Sequence, residues 1–135
     1  MAELNLEIIT PEKPVFKDKI EAVTIPGTQG SFQVLKDHAP LISSFEIGII
    51  KVNNSSSETF YATAGGTVEV NHNNVLVLAD SIEKITDIDQ NRAEQAKQRA
   101  EERLRKKSDD NIDEARAQAA LNRALNRLNA VKKYS

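Results

Sequence analysis

Seven arginines, two histidines and no cysteine bound the chemistry open to this chain of 135 residues. All seven arginines lie after residue 86, at positions 92, 99, 103, 105, 116, 123 and 127. A guanidinium is a planar fork of five donors, suited to bidentate binding of phosphate or carboxylate. The missing cysteines remove disulfides, thiolate metal sites and thiol nucleophiles together. His38 beside Asp37 has the chemistry of a general base or ligand, yet no nucleophile motif, nearby second histidine or acidic cluster accompanies it. His72 lies between Asn71 and Asn73 and reads as a turn residue. Gly27 and Gly30 resemble a phosphate loop only superficially, because no Lys-Ser/Thr follows and the next segment is a strand. The residues therefore point to binding rather than catalysis, with no catalytic and no metal-ligating set.

The elements that position these groups change character along the chain. All five glycines and all four prolines precede residue 67, as do five of the six aromatics. Split at residue 86, the front carries 6 lysines and 11 acids, and the back carries 12 basic and 9 acidic residues. This places a boundary near residue 84, giving a domain at 1–84 and a second at 85–135. The overall formal charge of −2 argues against a surface built throughout for nucleic acid. The longest purely apolar run, Val75 to Ala79, is far too short to span a membrane, and the N-terminus lacks a secretory signal.

In the front, short β-branched segments alternate apolar with polar residues between turn signals, the pattern of an antiparallel sandwich or barrel. Leu4, Leu6 and Ile8 form the first face, which Pro11 to Pro14 ends. Segments 20–25, 31–35, 47–52, 59–63, 67–70 and 75–78 complete a count of seven strands, with more expected. Asn53 to Ser55, Gly65-Gly66 and Asn71 to Asn74 punctuate them. In the back, apolar residues recur at three- and four-residue steps from Ala93 to Leu104 and from Ala117 to Val131, predicting two amphipathic helices. Asp87 or Asp89 can cap the first. Asn111 with Glu114 suggests a capping box for the second, and Ser108 to Asn111 a turn that makes the pair an antiparallel hairpin. Its mostly alanine seam is expected to hold weakly.

In such a hairpin, positions whose numbers sum to about 219 lie opposite one another, by helix geometry. Arg92 then faces Arg127, Arg123 faces Ala96, and Arg99 sits two turns above Arg92. Four guanidinium groups gather near the open end beside Glu83 and Asp89. From the residues alone this is either a solvated helix face or a phosphate-binding cluster.

Four motifs in order carry a resemblance. Val23-Thr24-Ile25-Pro26-Gly27-Thr28-Gln29-Gly30, then Val34-Leu35 with His38-Ala39-Pro40-Leu41, then Ala64-Gly65-Gly66 with Val68-Glu69-Val70, and Asp87-Ile88-Asp89 with Arg92-Ala93, resemble the epsilon subunit of F-type ATP synthase across nearly the whole chain. The resemblance implies a ten-stranded β-sandwich followed by a two-helix hairpin. It implies a non-catalytic rotor subunit, its sandwich joining the gamma subunit to the membrane c-ring and its helices braking ATP hydrolysis by extending into the catalytic alpha/beta head. It further implies ATP, with or without Mg2+, as a regulatory ligand held by Glu83, Ile88, Asp89, Arg92, Ala93, Arg99, Arg123 and Arg127. Ser31, Phe32, His38 and Arg116 are the expected partner contacts. Position 31 departs from the family's usual acidic or amide residue, so Phe32 is expected to offer an apolar contact instead. The implied location is peripheral, on the cytoplasmic face of a bacterial plasma membrane or the stromal face of a thylakoid. Two alternatives from other classes are a free-standing ATP-sensing module and a small sandwich enzyme using His38.

Overall fold

A computed structural model describes residues 4–106 and 113–134. The chain divides into two compact units, Met1–Lys84 and Ile85–Ser135. Among the described residues the first unit contains ten strands: β1 (Leu4–Ile9), β2 (Pro14–Ile20), β3 (Ala22–Ile25), β4 (Phe32–Val34), β5 (Leu41–Phe45), β6 (Gly48–Asn54), β7 (Ser57–Thr63), β8 (Gly66–Asn71), β9 (Asn74–Ala79) and β10 (Ile82–Lys84). They form two five-stranded sheets, β2-β1-β9-β8-β5 and β10-β7-β6-β3-β4.

The alternation read in the sequence explains the core. Leu4, Leu6 and Ile8 point inward from β1, as do Val75 and Val77 from β9 and Val68 and Val70 from β8, and all are essentially fully buried. They meet Val23, Ile25, Val34, Ile50, Val52 and Tyr61 of the other sheet in one cluster. Fully burying a side chain of this size stabilises by about 1.5–3 kcal/mol, so this layer dominates the unit's stability. At one side the sheets are stitched together. Gly27 bridges Phe45, and the Thr28 N–H donates to the Ser44 carbonyl at 3.3 Å.

Three features differ from the sequence reading. Residues 20–25 are not one strand: Ile20 pairs with Leu4 in the first sheet, and Ala22 pairs with Asn53 in the second. The chain changes sheets at Glu21, whose N–H donates to the Asn53 carbonyl at 3.0 Å. Gly65-Gly66 likewise joins β7 to β8 across sheets rather than closing a hairpin. Finally, β1 runs parallel to β9, the one parallel pairing among the ladders of the described residues.

Gly66 shows how closely strands approach at the crossing. A Cβ there would overlap the Leu78 carbonyl oxygen and crowd Ala79 Cα, backbone atoms that cannot rotate away. Gly66→Ala should therefore destabilise the sandwich by about 1–3 kcal/mol, the usual cost of overpacking. Urea unfolding measures it, and an unchanged midpoint would contradict the geometry.

The second unit opens with a 3-10 turn at Ile85–Asp87, followed by α1 (Gln90–Arg105) and α2 (Glu114–Tyr134), which pack as an antiparallel hairpin. Asp89 is the N-cap of α1: its Oδ1 accepts from the Arg92 N–H at 3.1 Å. Asp113 does the same for α2, accepting from the Arg116 N–H at 3.0 Å. The cap described for α2 is thus Asp113, two residues after the expected Asn111. The helix begins only at Glu114, so a carboxylate immediately before it reaches the third helical N–H. Asn111 and the expected turn at Ser108 to Asn111 lie outside the described residues. The fully covered helix positions are Ala93, Ala100, Ala117, Ala124 and Ala130. A methyl contributes about 0.8 kcal/mol on burial, so this seam permits close approach at little energy per residue.

Candidate functional site

Two surfaces emerge, one on each unit. On the sandwich, the outward face of the first sheet carries apolar groups where alternation would place polar ones. Ile42 on edge strand β5 is 78% exposed and Leu78 on β9 is 46% exposed. The ladders put Ile42 beside Glu69, Glu69 beside Leu76, and Leu76 beside Glu7. The adjacent row runs from Ser44 through Thr67 and Leu78 to Ile9. A shallow concavity of ≈ 340 Å³ opens between Ile9, Thr67 and Leu78. Four apolar side chains rimmed by Glu7, Glu69 and Thr67 form a surface that gains by being covered.

The loops beside this face are held firmly. Between β4 and β5, Asp37 adopts a left-handed backbone with φ 64°, and Asn73 in the β8–β9 turn does so with φ 63°. The two lock together: the Asp37 N–H donates to Asn73 Oδ1 at 2.7 Å, and Asn73 Nδ2 donates to Asp37 Oδ1 at 3.2 Å. Asp and Asn tolerate this conformation better than other non-glycine residues. The clamp fixes the segment that carries Leu35, which is 53% exposed, and His38. The His38 Nδ1 lies 2.7 Å from its neighbour's carbonyl, Ala39 O. Of the expected partner contacts, Ser31 is exposed and His38 is half-buried. Phe32 is turned partly inward, packing on the core and over Gly27, so only part of its ring is available.

The strip of exposed Ile42 and Leu78 with half-buried Leu76 between them was not picked out from sequence, although a signal exists. Val75 to Ala79 is continuously apolar where a strand with one wet face should alternate.

On the helical unit, the expected nucleotide-binding residues take distinct local duties. Asp89 caps α1, and its carbonyl accepts from the Ala93 N–H at 3.0 Å. Ala93 is 2% exposed and belongs to the seam. Ile88 is half-buried, its N–H donating to the Ile85 carbonyl at 3.2 Å. Arg92 and Arg99 are exposed, whereas Arg123 and Arg127 are half-buried. The guanidinium groups of Arg92, Arg99 and Arg123 make no ion pair among the described residues. Arg116 is exposed at the start of α2. Glu83 belongs to the first unit, on β10 opposite Ala62. Among the described residues no group of His, Asp or Glu is placed to hold a metal ion, and no helix is long and apolar enough to cross a membrane.

Comparisons with known proteins fit this two-part surface. The ATP synthase delta/epsilon chain beta-sandwich domain matches residues 3–85, and the delta/epsilon chain long alpha-helix domain matches residues 86–132. The ATP synthase epsilon chain of Desulforamulus reducens is 42% identical over 95% of this chain and 96% of its own. That of Symbiobacterium thermophilum is 45% identical over 96% and 94%, respectively. Among solved structures, a chain of the Euglena gracilis mitochondrial ATP synthase, captured with its F1 and c-ring, superposes with a TM-score of 0.83 at 19% identity. It covers 97% of this chain and 82% of its own, and it supports the fold. A sandwich and a helical pair each matched end to end, with epsilon chains as relatives over nearly full length, show that this chain belongs to the ATP synthase epsilon family.

Proposed function

We propose that this chain works as a non-catalytic subunit of the central stalk, its sandwich joining gamma to the membrane c-ring and its helices restraining ATP hydrolysis. The observation that carries this reading is the apolar strip of Ile42, Leu76 and Leu78 on the first sheet, flanked by the clamped 35–40 loop. A rotating stalk needs a rigid docking block, and a sandwich closed at its β4–β5 side supplies one. The strip takes gamma, whereas Ser31 and the loop around it face the c-ring. The chain itself is peripheral, on the cytoplasmic face of a bacterial plasma membrane or the stromal face of a thylakoid. Mixing the purified chain with gamma tests this: a one-to-one complex is expected on size exclusion, and failure to co-elute under native conditions would count against it.

ATP acts here as a regulatory ligand, with or without Mg2+. Arg92, Arg99, Arg123 and Arg127 flank one side of the alanine seam, and their mutual repulsion is relieved by a bound polyphosphate. Occupancy then favours the closed hairpin, and release frees the helices to extend toward the alpha/beta head, where Arg116 meets an acidic surface. Losing one charge-assisted phosphate contact costs about 1.5–3 kcal/mol, roughly 10- to 150-fold in affinity. Arg92→Ala should weaken ATP binding by that factor, whereas Arg105→Ala, off this stripe, should leave it nearly unchanged. Calorimetric titration with millimolar Mg-ATP separates the two, and equal effects would leave the arginines as a solvated face.

A further inference from the structure

The two helices are copies of one another in sequence. Residues 88–104 and 112–128 both read Ile-Asp-x-x-Arg-Ala-x-x-Ala-x-x-Arg-Ala-x-x-Arg-Leu, nine identical positions in seventeen at a constant offset of 24. The structure treats the copies alike. Asp89 and Asp113 each cap their helix through the N–H three residues on, at 3.1 and 3.0 Å. Ala93 and Ala100 are buried in the first copy, as are their counterparts Ala117 and Ala124 in the second. Leu104 and Leu128 are both half-buried, and Arg92 and Arg116 both exposed. Two equivalent helices packed antiparallel are related by a pseudo-twofold axis normal to the plane of the pair. Such an axis returns each face of the hairpin to itself.

The arginines follow this symmetry. The offset carries Arg92 to Arg116, Arg99 to Arg123, and Arg103 to Arg127, so six of the seven arginines sit at repeat positions. At 100° per residue the three within each helix fall inside an arc of about 40°, one stripe beside the seam. The proposed nucleotide cluster near the open end uses Arg92 and Arg127 as its outer pair. The axis maps that pair onto Arg116 and Arg103, near the closed end and on the same face, with Arg99 and Arg123 in the middle of both. At 1.5 Å per residue the outer pairs are about 16 Å apart along the helices, room for two phosphate chains without overlap. Arg103 and Arg116 make no ion pair among the described residues.

We propose that the hairpin carries a second, pseudo-symmetric binding site for a phosphate-chain anion, formed by Arg103 and Arg116 with Arg99 and Arg123 shared between the two sites. This rests on the nucleotide reading for the open-end site and extends it to the second copy of the motif. The closed-end site is the weaker and more salt-sensitive one, because Arg103 is exposed where its counterpart Arg127 is half-buried. Its anion is recognised through the phosphate chain, so inorganic tripolyphosphate should compete there as well as ATP does.

Calorimetric titration of the full chain with Mg-ATP, and separately with tripolyphosphate, at low salt decides it. Exposed helical Arg→Ala changes should leave folding intact, as circular dichroism can verify. Two equivalents in the wild type are expected, falling to one in both Arg92→Ala and Arg116→Ala, with Arg103→Ala matching Arg116→Ala. One equivalent lost in Arg92→Ala and untouched by Arg116→Ala overturns the second site while leaving the open-end reading in place. One equivalent lost only in Arg116→Ala supports the second site and removes the first. No binding of either anion overturns both. Binding of ATP without tripolyphosphate at the closed end overturns recognition by the phosphate chain.

Discussion

Ile42→Asp should lower the affinity of the sandwich for gamma by roughly 100-fold, about 3 kcal/mol. The side chain is 78% exposed on edge strand β5, so the change alters the free sandwich little. In the complex, the same position would bury a carboxylate beside Glu69, its cross-strand neighbour, with no cation to pair with across that ladder. A charge left buried without a partner commonly costs about 3–5 kcal/mol. Ser57→Asp, exposed at the start of β7 in the other sheet, is the control and should bind like the wild type. Surface plasmon resonance against immobilised gamma reads both. Wild-type affinity in Ile42→Asp would move the docking surface elsewhere on the sandwich.

Removing residues 87–135 should raise ATP hydrolysis by the assembled complex about 5-fold or more, the low end of a regulatory coupling of ~1 kcal/mol. The deletion is tolerable because the large buried side chains form one cluster in the first unit, and the helical unit buries mostly alanine. Residues 1–86 should stay folded and keep their place in the complex. The restraint is expected from α2, where Arg116, Arg123, Arg127, Lys132 and Lys133 outnumber its single acid, Glu114. Such a helix is attracted to an acidic surface, and the attraction weakens with salt. Hydrolysis that is unchanged by the deletion, under conditions that inhibit the intact complex, would remove this role.

The two-part architecture was legible in the sequence because the composition changes at one point: turn residues and aromatics stop, and arginines begin. The strands were less so, and each omission has a physical reason. β2 reads Pro-Val-Phe-Lys-Asp-Lys-Ile, where a proline and three charges on a sheet edge erase the alternation. β5 inverts the usual rule, since Ile42 faces out while Ser43 is half-covered. β10 has three residues, too few for any period. The parallel pairing of β1 with β9 joins segments some seventy positions apart, and no local pattern encodes it. For the candidate site, the Ile-Asp-x-x-Arg-Ala stretch was readable as a motif. Its Asp was one of two candidate caps and its Ala part of the apolar face, and choosing Asp89 over Asp87 needed the helix boundary, which depends on backbone hydrogen bonds rather than on residue type. The clamp between Asp37 and Asn73 was hidden because its partners are far apart in sequence and each looks like an ordinary turn residue.

The alanine seam also bears on temperature. The heat-capacity change of a conformational transition scales with the apolar area it uncovers, about 0.45 cal/K/mol per Å². Parting two helices whose fully buried contacts are Ala93, Ala100, Ala117 and Ala124, with Leu104 and Leu128 only half-buried, uncovers less apolar area than separating leucine-lined helices would. Enthalpy and entropy of opening then vary little with temperature, and a van't Hoff plot of the opening equilibrium should be close to straight. A latch built this way keeps nearly the same setting in a cold cell and a warm one, leaving its position to be decided by charge and ligand concentration.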